Sequence, residues 1–318
     1  MKTKKVIIGL TYGDPAGIGP EILLKTINSW RFKFTPLIVG NLELLSIYKK
    51  HKNKLFLHEC NDKKLNKIIS GKPNKISAAH SYQCLKEVTS LALKKKINAM
   101  FTGPVSKSQI SSTGVKFIGQ TDEIAKLCGL KSSDVIMMFL SKDFRIALFT
   151  RHVPLKSVSS LITKTKFKKY LLLLNCELKK WLHIEKPKIG ILGLNPHSSE
   201  GGLFGNEEKS IISPVIKELK RQGLNIYGPL SPDATLADAG RAYLLNKKQK
   251  HDVYVSFYHD QALPLFKAIA GRDGVNVTLG LPFLRVSVDH GTAFDIAGKN
   301  IADNASVVSA LKFLDGVL

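Results

Sequence analysis

Short apolar runs recur along this chain, and most are closed by a glycine, proline or polar turn before an amphipathic segment begins. Runs this short suit strands covered on both faces. Their alternation with helical segments selects a βαβ architecture with largely parallel sheets. Strands are predicted at Lys5–Tyr12, Pro36–Val39, Ala99–Thr102, Val135–Leu140, Phe144–Thr150, Lys188–Leu194, Val253–Phe257 and Arg285–Val288. Helices are predicted at Pro20–Ser29, Ser81–Lys95, Thr121–Leu127, Thr165–Leu182, Glu207–Gln222 and Asn304–Leu318. The polar stretches Lys116–Asp122 and Ala270–Asn276 read as domain crossings. They divide the chain into a first α/β domain of residues 1–120 plus 276–318 and a second of 121–275.

In an open parallel sheet the ligand crevice lies at the carboxyl ends of the strands. Three histidines fall there: His152 after Phe144–Thr150, His197 after Lys188–Leu194 and His259 after Asp252–Tyr258. Imidazoles brought together from distant stretches suit a metal site with positions left open for substrate. Asp260, next to His259, suits the role of an acceptor that orients an imidazole. His51, His58, His80, His183 and His251 lie in polar, helical or charged contexts and read as surface or structural residues. His290 also follows a strand, in a different motif.

Other motifs are less specific. Gly13-Asp-Pro-Ala-Gly-Ile-Gly-Pro20 joins the first strand to a helix. It serves equally as an anion-binding helix start or as a structural turn. Thr102-Gly-Pro-Val-Ser-Lys107 offers two hydroxyls and an ammonium after a strand. Gly201-Gly-Leu-Phe-Gly-Asn206 reads as a phosphate cradle or a mobile loop. Lys267 and Arg285 lie beside apolar runs, where an unpaired charge is costly to bury and an anionic substrate would compensate it. No G-x-G-x-x-G follows the first strand, so a dinucleotide would not bind by the Rossmann fingerprint.

A hydrophobic fraction of 44% supports a sizeable core. No uncharged apolar run approaches the roughly 18 residues that a membrane span needs. Met1-Lys-Thr-Lys-Lys5 looks like a signal-peptide start, but the apolar run Val6–Leu10 is too short and reads as a strand. Cys60, Cys84, Cys128 and Cys176 form no CxxC motif, so reduced thiols in a cytoplasmic protein are expected. Net charge is +23, yet the lysines are scattered, as in Lys49-Lys50, Lys63-Lys64 and Lys94 to Lys96, with no interleaved aromatics. Nucleic-acid binding is therefore only a distant alternative.

Taken together, the chain resembles the 4-hydroxythreonine-4-phosphate dehydrogenase family of pyridoxal 5'-phosphate biosynthesis. The matching strings are Gly13-Asp-Pro-Ala-Gly-Ile-Gly-Pro-Glu21, Thr102-Gly-Pro-Val-Ser-Lys107, Gly193-Leu-Asn-Pro-His197, Glu200-Gly-Gly202, Tyr258-His-Asp-Gln261, and Val275 to Pro282 with Asp289 to Ala293. Their number and order run nearly end to end. One departure stands out: the family carries histidine where this chain has Gln120, and glutamine can neither carry charge nor shuttle a proton.

The resemblance implies an isocitrate/isopropylmalate dehydrogenase-like fold, with two α/β domains flanking a crevice, and a homodimer with shared active sites. It implies NAD and one divalent ion (Zn, Mg or Co) held by His152, His197 and His259. It assigns substrate contacts to Gln120, Thr121, Lys267, Asn276 and Arg285, and the cofactor loop to His290, Gly291, Thr292, Ala293 and Asp295. The implied reaction oxidises 4-phosphooxy-L-threonine at C3 to 2-amino-3-oxo-4-phosphooxybutanoate, which decarboxylates to 3-amino-2-oxopropyl phosphate. Lys267, an aspartate or water would take the hydroxyl proton. The runner-up substrate is a 4-phosphorylated threonate or erythronate.

Overall fold

The computed structural model describes residues 5–46, 56–60 and 65–318. His51, the pairs Lys49-Lys50 and Lys63-Lys64, and the opening segment before Lys5 lie outside them. Among the described residues the strands are β1 (Ile7–Thr11), β2 (Thr35–Gly40), β3 (Phe56–Glu59), β4 (Ala99–Thr102), β5 (Ile136–Ser141), β6 (Phe144–Leu148), β7 (Ile189–Leu192), β8 (Ile226–Leu230), β9 (Val253–Ser256), β10 (Val275–Leu279) and β11 (Leu284–Ser287). The chain forms two compact units, Met1–Val135 with Leu281–Leu318, and Ile136–Gly280.

The first unit carries the order β3-β2-β1-β4-β11, parallel throughout. The helix Lys75–Leu93 packs on this sheet, and Gly9 makes room for it: a Cβ there would come within 2.8 Å of Val88 Cγ2. The helix starts six residues before the predicted Ser81 because Asn74 caps it. The Asn74 side chain accepts from the backbone N–H of Ile76 and Ser77, and Ser77 Oγ accepts from Asn74 N–H. His80 lies inside this core, with Nε2 2.6 Å from the Tyr12 hydroxyl and 3.4 Å from Cys84 Sγ.

The second unit carries the order β10-β5-β6-β9-β7-β8. Its β10/β5 and β5/β6 pairs are antiparallel; its β6/β9, β9/β7 and β7/β8 pairs are parallel. Every residue of β5 is buried, as a strand covered on both faces requires. On one side Phe144 meets Tyr243, Tyr254 and Phe266. A second cluster joins Phe149 and Phe257 to Phe167 and Tyr170 of the helix Lys164–Leu182. It fixes the ends of β6 and β9 just before His152 and His259.

Several expectations need correction. The chain passes between units after Val135 and after Gly280, so Lys116–Asp122, which runs into the helix Gln120–Leu127, and Ala270–Asn276, which runs into β10, lie inside the units. The predicted helix Glu207–Gln222 is broken into a π-helical segment, Glu208–Ile212, and the helix Ser213–Arg221. Pro214, which has no N–H to donate, sits at the junction. Three strands were not predicted. β10 alternates through Asn276 and Thr278, β3 is partly exposed at its sheet's end, and Gly228-Pro229 interrupts β8 at the end of the other order. The helix His259–Ala270 was hidden by Pro264 in its interior.

His251 illustrates how tightly the second unit is closed. It is 3% exposed, with its ring centroid 5.1 Å from that of Tyr227 and 5.4 Å from that of Tyr254. Burial, and then the Lys250 charge, pushes its pKa below the ordinary 6.5. Above 6.5 the ring is neutral in both folded and unfolded chains. As pH falls below that value, the unfolded chain takes the proton first and stability is lost. The urea midpoint is expected to fall as pH drops below about 6.5, and His251→Gln to flatten that fall; an equal fall in the variant would assign the loss to other groups.

Candidate active site

Backbone pairing carries β6, β9 and β7 side by side in one direction, so the segments after them emerge together. Hydrogen bonds continue this order past the strand ends. Phe149 N–H donates to Ser256 O at 2.8 Å, and both N–H and hydroxyl of Thr150 donate to Phe257 O. Gln261 ties the other side: its amide nitrogen donates to Gly193 O at 2.6 Å, while its oxygen accepts from Phe257 N–H and Ser256 Oγ.

His152 and His259 meet across this edge, with ring centroids 5.8 Å apart and planes at 39°. Asp260 Oδ1 lies 3.0 Å from His259 Nδ1, the orienting contact expected from the sequence. His197 enters differently. Its segment forms a turn of left-handed backbone, with φ of 50°, 55°, 71°, 42° and 73° at His197, Ser198, Ser199, Glu200 and Gly201. Such geometry costs a non-glycine residue roughly 1–2 kcal/mol. Gly193 permits it, since a Cβ there would lie 2.8 Å from Ser198 Cα. His197 lines a cleft of about 370 Å³ together with Asn195, Asp233, Tyr258, Asp260 and Gln261. The Ser231 hydroxyl, the Ala234 N–H and, more weakly, His197 hold the Asp233 carboxyl below its usual range.

Two facing imidazoles and a third on the neighbouring strand end fit a divalent cation in kind. They do not form a closed cage: among the described residues, no three His, Cys, Asp or Glu side chains are grouped to hold a metal ion.

A second group lies in the first unit. Arg285 on β11 is 2% exposed. Its Nε and Nη2 donate to Thr102 Oγ1 at 3.1 and 2.7 Å, and Nη1 donates to Thr121 Oγ1 at 3.3 Å. Burial lowers its pKa to about 9, which leaves it cationic near neutrality. Gln120 and Thr121 open the helix Gln120–Leu127, whose Gly119 cap supplies no side-chain hydrogen bond. The Gln120 amide nitrogen donates to Gly103 O at 3.0 Å, and its buried oxygen has no hydrogen-bond partner among the described residues. In the second unit, Asn276 Oδ1 is likewise buried without one. Lys267 differs from expectation: it is exposed on the helix His259–Ala270, so no burial cost attaches to it.

The cofactor-loop candidates are also in the first unit. Thr292 O accepts from Ile18 N–H at 2.9 Å, which sets this loop against the Gly13–Pro20 turn. Gly17 is required by that contact, since a Cβ there would lie 2.7 Å from Thr292 O. Next to it, Asp14 is fully buried, and burial raises its pKa against the opposing Ala16 N–H. His290 Nδ1 lies 3.0 Å from Gly291 O and its Nε2 is buried; Gly291 and Asp295 are exposed and Ala293 has a φ of 42°.

Sequence reasoning overlooked Glu207 and Glu208, both of which hold Asn195, and it gave Gln261 no task. The adjacent acids after a glycine-rich stretch were the available signal. In the Gly201–Asn206 stretch, Gly205 lies against the Glu207 carboxylate, where a Cβ would come within 2.7 Å of Oε2, and that end of the stretch is unsuited to phosphate. Arg285→Met keeps much of the side-chain bulk and removes the buried charge. It is expected to raise the urea midpoint of the ligand-free protein and to abolish stabilisation by inorganic phosphate. A lower midpoint would show that the threonine hydrogen bonds outweigh desolvation.

Known proteins supply an independent comparison. The family model described as pyridoxal phosphate biosynthetic protein PdxA matches residues 21–314. A 4-hydroxythreonine-4-phosphate dehydrogenase of Sulfurihydrogenibium sp. is 39% identical over 96% of this chain and 97% of its own. A Clostridium botulinum protein with the provisional name D-threonate 4-phosphate dehydrogenase is 32% identical over 98% of this chain and 96% of its own. The crystal structure of 4-hydroxythreonine-4-phosphate dehydrogenase from Klebsiella pneumoniae aligns with a TM-score of 0.84 at 26% identity, covering 99% of each chain. A β-decarboxylating dehydrogenase from Thermococcus kodakarensis shares the fold alone, with a TM-score of 0.52 at 13% identity over 97% of this chain and 82% of its own. The fold is thus of the isocitrate/isopropylmalate dehydrogenase-like type, and the chain belongs to the PdxA family of pyridoxal phosphate biosynthetic proteins.

Proposed function

We propose that this chain is a 4-hydroxythreonine-4-phosphate dehydrogenase that depends on NAD and a divalent metal and works as a cytoplasmic homodimer with shared active sites. The reaction would be oxidation of 4-phosphooxy-L-threonine at C3 and decarboxylation of the resulting β-keto acid to 3-amino-2-oxopropyl phosphate. The observation that carries this reading is the emergence of His152, His197 and His259 after three adjacent parallel strands.

The division of labour follows from the side chains. His152, His197 and His259 would hold the cation. With Nδ1–H donated to Asp260, His259 presents the Nε2 lone pair as a ligand. The cation would supply Lewis acidity at the substrate hydroxyl and NAD the hydride acceptor. Arg285, backed by the Thr102 and Thr121 hydroxyls, would bind the phosphate or carboxylate. Asn276 offers a buried acceptor. Lys267 Nζ is our candidate for taking the hydroxyl proton. The loop of His290, Gly291, Thr292, Ala293 and Asp295, braced on the Gly13–Pro20 turn, would carry the cofactor.

An NAD-reduction assay with 4-phosphooxy-L-threonine tests this. NADH should form, stop with chelator and return on adding zinc, magnesium or cobalt; turnover undiminished in metal-free protein would reject the metal. A second reading, oxidation of D-threonate 4-phosphate, is favoured by the Clostridium botulinum relative and by Gln120. Comparing the two phosphorylated acids separates them. Gln120→His is expected to shift KM severalfold, and unchanged KM and kcat would remove Gln120 from the question of specificity.

A further inference from the structure

Asn195, two positions before the left-handed turn that begins at His197, is held by a pair of carboxylates to which the proposed reaction gives no part. Glu208 Oε1 accepts the Asn195 backbone N–H at 2.8 Å. The Asn195 side-chain nitrogen donates to Glu207 Oε2 and Glu208 Oε2, both at 2.9 Å. Glu207 in turn accepts from the Ser159 hydroxyl. Beyond the turn, Ser199 Oγ donates to Gly205 O at 2.9 Å and closes the stretch upon itself.

Two features make this more than an ordinary loop anchor. Glu208 is 3% exposed, so its carboxylate has given up water to meet a neutral amide. It also begins the π-helical segment Glu208–Ile212. That is a rare geometry, often found near functional sites. Two consecutive carboxylates thereby converge on one residue, Asn195, two positions before His197. Four consecutive non-glycine residues in left-handed backbone would relax toward right-handed forms unless restrained, and His197 begins that run.

We propose that Glu207 and Glu208 form a clamp that positions His197 for metal binding, with Glu208 the principal member. The clamp rests on the reading of His197 as a metal ligand. It keeps the strained turn wound and sets the direction of the imidazole relative to the His152–His259 pair. Groups that orient metal ligands in this way typically change metal affinity by about 10–100-fold when removed.

Cobalt(II) is the probe, added to the full-length protein and followed by visible absorption and calorimetry. Amide hydrogen exchange of residues 195–201 reports the turn directly. Glu208→Ala should weaken cobalt binding at least about tenfold, change the absorption band and quicken exchange in 195–201, with far-ultraviolet circular dichroism unchanged. Glu208→Gln, which keeps one acceptor oxygen, should recover part of the affinity. Ser210→Ala, on the same segment but outside the clamp, should match wild type. If Glu208→Ala fails to fold, Glu208→Gln and Glu207→Gln decide: wild-type cobalt affinity in both overturns the proposal. Faster exchange with wild-type affinity in Glu208→Ala also overturns it, because the acids would then shape the loop alone. A wild-type protein that takes up no cobalt removes the metal reading and the clamp's role with it.

Discussion

The side-chain amide of Gln261 accepts two hydrogen bonds from the end of β9 and donates one to Gly193, just beyond β7. Two strand ends are thereby joined by a single residue that follows His259 by two positions. On the other flank, Phe149 and Thr150 repeat the tie between β6 and β9 through the backbone. Parallel pairing brings the three strands to a common edge, but strand ends fray unless their carbonyls and N–H groups find partners. These few bonds supply the partners. The histidine segments inherit their spacing from them.

The two groups of candidate residues solve different electrostatic problems. In the second unit, polar groups cluster on exposed or half-buried turns, and the aromatic rings of Phe149, Phe257, Phe167 and Tyr170 close the space beneath. Among the described residues of this unit, Glu177 and Glu208 are the buried carboxylates. In the first unit, Arg285 carries a full charge into the interior with hydroxyl oxygens as neighbours. Hydroxyl dipoles compensate a guanidinium only partly. A buried cation arranged this way favours anionic ligands over neutral ones, and it does so at some cost to the unliganded fold.

Much of this architecture is legible in the amino-acid sequence. The apolar runs locate β1, β4, β6, β7, β9 and β11 because strands buried on both faces need no alternation. The three histidines are marked by their position after such runs. Asp260 is legible because it adjoins the ring that it orients. Gln261, Glu207 and Glu208 are not, since their partners are set by which strands lie side by side, and that order is not written in any one segment. Lys267 misleads because apolar neighbours in sequence do not mean burial: Leu263 and Phe266 are buried on this helix, while the lysine at its margin is exposed. The division after Val135 is obscured by a polar stretch that looks like a linker but leads into the helix Gln120–Leu127.

The order of the chain has one more consequence. β11 pairs with β4, joining Leu284 to Ala99, and the whole second unit is made between them. During synthesis on the ribosome, β4 emerges early and its free flank waits for a partner that leaves the exit tunnel only after the whole second unit has been made. The second unit, continuous from Ile136 to Gly280, can close while that flank is still open. An unpaired strand edge is a template for wrong pairing with a neighbouring nascent chain. Pauses in translation shortly before Leu284 would therefore lengthen the most vulnerable interval in the life of this protein.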